Sequence, residues 1–131
     1  LLSDHGNTIE LQAEEDLTVY GDSVKLARVF NNILKNAISY SYPNSPIKVY
    51  AGKREKDIFI CFINQGKSIP QEKLNAIFEK FFRMDEARST NTGGAGLGLA
   101  IAKEIVTLHG GSINASSENE MTTFSVTLPQ Q

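Results

Sequence analysis

Cysteine and histidine, the residues that build disulfides and zinc sites, are scarce in this sequence. It contains one cysteine, Cys61, and two histidines, His5 and His109. A single cysteine excludes an internal disulfide framework and fits a reducing compartment. Two histidines without a cysteine pair lack the spacing of a metal site. A fold stabilised by internal disulfides is therefore excluded.

Net charge and long apolar runs are also lacking. The 13 lysines and arginines nearly balance the 15 aspartates and glutamates, and a formal net charge of −2 gives no electrostatic case for binding nucleic acid or an anionic membrane. No apolar run approaches the roughly 18 residues of a membrane-spanning helix, and we expect no signal peptide. The length suits a single domain, 1–131, and a first residue that is not methionine leads us to expect a piece of a longer protein.

What the sequence does contain is an alternation of strand and helix patterns. Apolar residues at three- and four-residue spacing indicate helices, and short β-rich runs indicate strands. In chain order the predictions are strands at 7–12 and 17–20, a helix from Asp22 to about Ser41, strands at 47–54 and 57–64, helices at 70–82 and 97–109, and a closing strand pair around a turn at 118–121. This order fits a two-layer α/β fold, in which one mixed or antiparallel sheet carries helices on one face. The almost wholly apolar run at 57–64 predicts a central strand.

The stretch TNTGGAGLGLAIAKEIV (90–106) places four glycines directly before the last predicted helix. Glycine costs roughly 0.5–1 kcal/mol relative to alanine in regular structure, so bare backbone must be needed here. A helix N-terminus carries unpaired N–H groups and a partial positive charge, and glycines let phosphate oxygens approach them. The pattern predicts a phosphate-approach loop, with a flexible linker as the alternative.

Two familiar phosphate-binding motifs do not fit the sequence. The GKS at 66–68 would need a glycine where Cys61 stands to complete a P-loop. A dinucleotide fingerprint needs G-x-G-x-x-G on a strand-to-helix turn, whereas the spacing at 94–98 is G-x-G-x-G after a polar loop. That loop, 83–96, has no periodicity, and loops of this length in compact domains are usually functional or disordered.

Two asparagines lie one turn apart in the first predicted helix. Asn32 and Asn36 share one flank at i, i+4, although asparagine is a poor residue for a helix interior. Such local conflicts often mark functional sites. An amide oxygen suits Mg²⁺ held mainly by substrate phosphates, and Tyr40, one turn on, could stack on a base. A solvated polar flank is the alternative, and these residues taken alone favour it.

Together these motifs resemble the ATP-binding catalytic domain of sensor histidine kinases, within the GHKL superfamily, over about residues 20–129. NNILKNA resembles the N box, INQGKSIP the first glycine box, IFEKFFR the F box and GGAGLGLAIAKEI the second glycine box. The stretches VFNNILKNA and TGGAGLGLAIAKEI are similar to VanS-type vancomycin-resistance sensor kinases. The resemblance implies a Bergerat-type ATP-binding fold and a kinase that uses ATP and Mg²⁺.

By position, the resemblance implies a role for each matching residue. Asn36 would coordinate Mg²⁺, Asn32 would contact phosphate or metal, and Tyr40 would stack on adenine. Arg83, the implied catalytic residue, would reach toward the γ-phosphate and the acceptor, and the span 83–96 would close over ATP as a lid. The other implied nucleotide contacts are Asn64, Gly66, Gly94, Gly96, Leu97, Gly98 and Thr122, the last a hydroxyl that reaches the adenine through water.

Three positions depart from the family pattern. Asn64 stands where an aspartate reads the adenine amino group, and Ser68 replaces the second glycine of its box. Ser39 replaces a basic residue, which leaves Lys35 as a candidate for offsetting phosphate charge. Because a carboxamide carries both a donor and an acceptor, Asn64 puts base selectivity in doubt, and Asn64→Asp should widen the preference for ATP over GTP. Alternatively, Asn64 caps the end of a strand and touches no base.

The family transfers the γ-phosphoryl group to a histidine on a separate dimerisation domain, and from there to a response-regulator aspartate. Neither His5, in a turn-like stretch, nor His109, before two glycines, matches such an acceptor. The chain is therefore expected to be the catalytic half without its phosphoacceptor domain. The implied parent is a homodimeric membrane sensor that holds this domain in the cytoplasm. Two rivals stay open: nucleotide sensing without transfer, and a serine-kinase anti-sigma factor of the same superfamily.

Arg83→Ala should reduce phosphoryl transfer far more than ATP binding. A guanidinium at the γ-phosphate stabilises charge as it develops, and losing such an interaction lowers the transfer rate with little change in affinity. The measurement compares nucleotide affinity with transfer to an added acceptor domain. A parallel loss of both would make Arg83 a simple binding or folding residue.

Overall fold

The computed structural model describes residues 6–14, 17–80, 82 and 97–130, which form five strands and three helices. The strands are β1 (Thr8–Ala13), β2 (Pro46–Arg54), β3 (Asp57–Gln65), β4 (Ser112–Glu118) and β5 (Met121–Pro129). The helices are α1 (Ser23–Tyr40), α2 (Gln71–Leu74) and α3 (Gly98–Leu108).

The five strands form one mixed sheet in the order β1-β2-β3-β5-β4. β1 is parallel to β2, and the other three neighbouring pairs are antiparallel. Asn119 (φ 54°) and Glu120 (φ 61°) join β4 to β5, because two consecutive left-handed residues match the twist of a hairpin. β3 lies in the middle of the sheet, which confirms the central strand predicted from its apolar run.

α1 and α3 cover one face of the sheet, and the apolar core lies between the two layers. α1 buries Leu26, Val29 and Ile33 at helical spacing, while β3 and β5 bury every second residue. The helical and strand periodicities therefore meet in one apolar layer, which confirms the two-layer α/β architecture. Other members of this core are Ile58, Ile60, Phe62, Leu99, Ala102, Val106, Phe124, Val126 and Leu128. Within the described helices, none combines the length and apolarity that a membrane crossing requires.

The strand predicted at 17–20 is wrong. Leu17 and Val19 pack against the core from an irregular stretch between β1 and α1. Their apolar spacing resembles that of a strand, but here it serves to fasten a connection to the edge of the core. Alternation over four residues cannot separate these two outcomes.

The helix predicted at 70–82 is also wrong in its extent, since α2 ends at Leu74. Beyond α2, N–H groups bond three residues back, as the Ala76 N–H does to the Lys73 carbonyl at 3.1 Å and the Glu79 N–H does to the Ala76 carbonyl at 3.0 Å. α2 still buries Leu74, and the tight turns after it bury Ile77. A three- to four-residue spacing is satisfied by such turns as well as by an α-helix.

One imidazole joins the end of α3 to the start of α1. The His109 Nδ1 lies 2.8 Å from the Ile105 carbonyl oxygen, and its Nε2 accepts from the Asp22 backbone N–H at 3.1 Å. This pairing fixes the neutral tautomer with its proton on Nδ1. His109 is thus structural, and it holds α1 and α3 antiparallel; His5 lies outside the described residues.

Asp22→Ala should lower the stability of the domain by about 1 kcal/mol, the usual cost of losing an N-cap, and the melting temperature by about 3–5 °C. The Asp22 Oδ1 accepts from the Val24 and Lys25 N–H groups at 3.0 and 3.1 Å, which alanine cannot do. Thermal unfolding measures the change, with the exposed neighbour Ser23→Ala as the control. Equal melting temperatures for the two variants would show that the cap contributes nothing.

Candidate functional site

A row of three polar side chains crosses the helix-covered face of the sheet at one end. Asn64 in β3 is the register partner of Thr122 in β5, which is in turn the partner of Ser117 in β4. The next row on the same face is apolar and consists of Phe62, Phe124 and Ala115. Asn64, Thr122 and Ser117, the polar row, therefore interrupt a face that is otherwise built for packing.

The amide of Asn64 is the most unusual group in this row. Its side chain is 0% exposed, yet neither Oδ1 nor Nδ2 has a hydrogen-bond partner among the residues that the structure describes. A buried polar group left without a partner costs about 1–3 kcal/mol. A bound molecule that brings its own donors and acceptors would relieve this cost.

The other two members of the polar row bond to each other. The Ser117 and Thr122 hydroxyl oxygens lie 2.8 Å apart, and the Ile69 N–H donates to the Ser117 Oγ at 2.8 Å. Thr122 is 1% exposed, whereas Ser117 is half-buried. This chain of hydrogen bonds fixes both hydroxyls against the loop that follows β3.

Beside the Asn64 amide, the backbone at Gly66 packs closely against the backbone at Tyr40. A Cβ on Gly66 would overlap the carbonyl oxygen of Tyr40, so only glycine allows the end of β3 to lie this close to the end of α1. The Tyr40 ring stacks on Phe124, with 6.4 Å between ring centroids and 26° between planes. Burial raises the pKa of Tyr40 to about 12, so its ring stays uncharged below that pH.

Three loops are fastened together at the rim of this region. The Ser68 Oγ accepts from the Glu120 N–H at 2.8 Å, and the Tyr42 hydroxyl donates to the Glu120 Oε1 at 2.6 Å. The Gly66 N–H donates to the Glu120 carbonyl at 3.0 Å. The hydrogen bond to the Glu120 carboxylate also raises the pKa of Tyr42. Ser68, a departure from the family glycine, thus has a structural use: its hydroxyl anchors the turn between β4 and β5.

The two helix asparagines lie against the first turn of α3. The Asn32 Nδ2 donates to the Gly98 carbonyl at 3.1 Å, and the Asn36 Nδ2 donates to the Asn32 carbonyl at 2.9 Å. A Cβ on Gly98 would lie 3.6 Å from the Asn36 Nδ2, so the helix start and the amide are in close approach. Both asparagines are half-buried, and so is Leu97, which precedes Gly98 in the chain.

The predicted site residues therefore form two groups along α1. Tyr40, Asn64, Gly66 and Thr122 surround the polar row, whereas Asn32, Asn36, Leu97 and Gly98 line the junction of α1 with α3. Arg83, Gly94, Gly96 and the predicted lid at 83–96 lie outside the described residues. Lys35 is exposed, and the Ser39 hydroxyl donates to its carbonyl at 3.0 Å.

Sequence reasoning missed Ser117. In β4 it continues the inward positions of Ile113 and Ala115, where an alternating strand should carry apolar residues. A polar residue at the third inward position was the available signal. This signal could be interpreted only if the residues of the turn between β4 and β5 were known. A shift of one residue in the pairing of the two strands would turn Ser117 to the other face of the sheet.

Known proteins with similar sequences include sensor proteins and sensor histidine kinases. Sensor protein VanS of Enterococcus faecium is 61% identical over 128 residues, which are 98% of this chain and 33% of that protein. Sensor protein VanSC of Enterococcus gallinarum is 43% identical over 130 residues, 99% of this chain and 36% of that protein. The chain thus spans about a third of the length of these curated relatives.

Solved structures agree with the sequence relatives. The catalytic domain of histidine kinase ThkA matches with a TM-score of 0.85 and 25% identity, over 98% of this chain and 82% of that chain. The crystal structure of ThkA in complex with response regulator protein TrrA matches with a TM-score of 0.81 and 25% identity, over 99% of this chain and 36% of that chain. The family model described as histidine kinase-, DNA gyrase B- and HSP90-like ATPase matches residues 21–131, and the chain belongs to that family as a histidine-kinase-type ATP-binding catalytic domain.

Proposed function

We propose that this domain binds Mg-ATP and donates the γ-phosphoryl group to a histidine on a separate domain. The observation that carries the proposal is the Asn64 amide, which is fully buried without a hydrogen-bond partner in the described part of the chain. Adenine supplies both donors and acceptors on one edge, so it can satisfy both atoms of that amide. A purely apolar ligand would leave the cost of burying the amide unrelieved.

The base end of the proposed site is formed by the polar row and its neighbours. The uncharged Tyr40 ring offers a flat surface for stacking, and its position is fixed by packing on Phe124. Gly66 lets the backbone approach the base closely. Asn64 and Thr122 then face the base edge, the first through its amide and the second through its hydroxyl, directly or through water.

The phosphate end is proposed at the junction of α1 with α3. Because the Asn36 amide donates through Nδ2 to the Asn32 carbonyl, its Oδ1 remains an acceptor suited to a hard cation. Mg²⁺ held there, with Asn32 as a second polar contact, would neutralise phosphate charge. Leu97 is the N-cap of α3 and Gly98 is its first residue, and the N–H groups at this helix N-terminus favour anions. Gly94 and Gly96 are proposed as further phosphate contacts.

The chemistry proposed for this chain is positioning and neutralisation of charge. Phosphoryl transfer needs little covalent help from a protein, and most of the rate comes from alignment and electrostatic stabilisation. Arg83 is proposed to stabilise the transferring group, and 83–96 to close over it, within one domain at 1–131. The nucleophile and its base would belong to the phosphoacceptor domain.

The setting proposed for the whole protein follows from its relatives. Proteins named as sensors are more than twice as long as this chain, and one relative forms a complex with a response regulator. We infer a membrane sensor homodimer that holds this domain in the cytoplasm and passes phosphate to a response regulator. The similarity to VanS supports a role in glycopeptide-resistance sensing.

Labelled ATP and a separately added phosphoacceptor domain test this function. The expected product carries phosphate on histidine, which is lost in acid, and mutation of the acceptor histidine should abolish labelling. Acid-stable phosphoserine would instead support the anti-sigma kinase. Binding of ATP with no labelled product would support the nucleotide-sensing module.

Asn36→Ala should abolish Mg-dependent ATP binding and leave the fold intact, because it removes a proposed metal ligand rather than core volume. Calorimetry with ATP in the presence and absence of Mg²⁺ measures this effect. Asn31→Ala is the matched control, since Asn31 is an exposed asparagine of the same helix. Unchanged affinity in Asn36→Ala would refute the metal role.

Asn64→Leu should stabilise the ATP-free domain by about 1–3 kcal/mol while removing its response to ATP. Leucine has a similar branched shape but no polar atoms to bury. Thermal unfolding with and without ATP measures both effects, because a ligand that binds only the folded state raises the melting temperature. Asn114→Leu, at an exposed position of β4, is the control and should change stability little. A variant that still gains stability from ATP would show that Asn64 does not contact the nucleotide.

A further inference from the structure

We propose that Ser117 fixes the direction of the Thr122 hydroxyl, and that this direction selects adenine over guanine. The inference deepens the proposed function and rests on the base lying against the polar row. It makes Ser117 a positioning residue: it acts on the base only through Thr122. It also answers the doubt about selectivity that Asn64 raises.

The Ser117 hydroxyl has two close partners with different demands. The Ile69 backbone N–H can only donate, so at 2.8 Å it occupies an acceptor site on the Ser117 Oγ. The Thr122 Oγ1, also at 2.8 Å, can either donate or accept. Whichever of the two hydroxyls donates in this bond therefore decides whether Thr122 has a proton left to donate to a ligand.

Ser117 can donate to Thr122 or accept from it, and the number of hydrogen bonds formed favours the first arrangement. If Ser117 donates to Thr122, the Ile69 N–H, the Ser117 hydroxyl and the Thr122 hydroxyl form a chain of donors that all point the same way. Such chains strengthen each bond, because a hydroxyl that accepts a hydrogen bond becomes a better donor. If Thr122 donates instead, Ser117 accepts twice, and its own proton has no partner among the described residues.

The favoured arrangement leaves the Thr122 proton as the free end of the chain. Thr122 is the register partner of Asn64, so this proton is presented beside the Asn64 amide. Adenine pairs an amino donor with the ring acceptor N1, and guanine has the reverse, a carbonyl acceptor beside an N1–H donor. A fixed donor at Thr122 in direct contact with the base matches the acceptor N1 of adenine and opposes the N1–H donor of guanine.

Asn64 cannot make this choice, because an amide can rotate to present either its oxygen or its nitrogen. Within the described residues neither atom is held by a hydrogen bond that would prevent the rotation. The selectivity that an aspartate would provide at position 64 is therefore assigned to the hydrogen-bond chain that begins at Ile69 and passes through Ser117.

The test measures the dissociation constants of ATP, GTP and 1-deaza-ATP, in which N1 is replaced by C–H, on this chain and its variants. Ser117→Ala frees the Thr122 hydroxyl to rotate, so ATP should bind about three- to tenfold more weakly and the ratio of GTP to ATP constants should fall by a similar factor. Ser117→Thr, which keeps the hydroxyl, should restore the ratio to within about twofold. Ser116→Ala, at an exposed neighbouring position, is the control.

A double-mutant cycle separates positioning from a merely structural role. In the Thr122→Val background, Ser117→Ala should cause no further change in the nucleotide ratio, because there is no hydroxyl left to orient. The wild-type penalty for 1-deaza-ATP should shrink in Ser117→Ala and in Thr122→Val alike. Ser117→Cys, which keeps the shape with a weak donor, gives the same comparison if Ser117→Ala does not fold.

The outcomes distinguish the inference from the proposed function. Suppose that ATP binds and that Thr122→Val lowers the ratio of GTP to ATP dissociation constants, whereas Ser117→Ala and Ser117→Cys leave it unchanged. Ser117 then does not orient Thr122, and the inference is overturned while the proposed function stands. If Thr122→Val leaves the ratio unchanged while ATP still binds, the base is read elsewhere and the inference is again overturned. If the wild-type chain binds none of the three nucleotides, the proposed function is overturned as well.

Discussion

The antiparallel packing of α1 on α3 is the contact on which the rest of the structure depends. At one end it is closed by the His109 imidazole, which bonds α3 to the N-terminus of α1. At the other end the Asn32 amide bonds to the first turn of α3. The first bond gives a partner to the Asp22 N–H, a donor at a helix N-terminus that has none within the helix. The proposed phosphate end of the site is therefore held by the same contact that holds the helical layer together.

The polar row shows how stability and binding compete at one position. The Asn64 amide has no hydrogen-bond partner in the described structure. It therefore lowers the stability of the domain, because the hydrogen bonds to water that it loses on burial are not replaced. Ser117 and Thr122 avoid this cost by bonding to each other. A ligand that satisfies Asn64 would recover the cost on binding, so part of the affinity is stored as instability of the free domain.

Much of the fold followed from the sequence because its longest patterns are unambiguous. α1 has 18 residues and β3 has nine, and both the helix with its apolar face and the strand with its apolar run were predicted correctly. The short patterns failed: 17–20 is irregular, and the helix at 70–82 is a single turn followed by tighter turns. Those segments contain too few residues to define a periodicity, so tertiary packing decides between structures of similar spacing.

Parts of the candidate site were predictable from sequence motifs, where the position calls for one particular type of residue. Asparagines one turn apart and a glycine that must lack a Cβ could be identified from the motifs. Ser117, and the rim formed by Tyr42 and Glu120, could not, because their importance comes from strand register and from loops that meet only in three dimensions. Ser68 was seen only as a missing glycine, whereas its hydroxyl anchors the neighbouring turn.

The close contact of Gly66 with the Tyr40 carbonyl has a consequence for the entropy of binding. Backbone fixed against backbone has no rotamers, so this part of the pocket has no side-chain freedom to lose when a ligand arrives. The hydroxyls of the polar row are likewise ordered in advance by their mutual bond. The ordering cost of binding therefore falls mainly on the Asn64 amide and on the ligand itself, and a surface ordered in this way can bind tightly with few contacts.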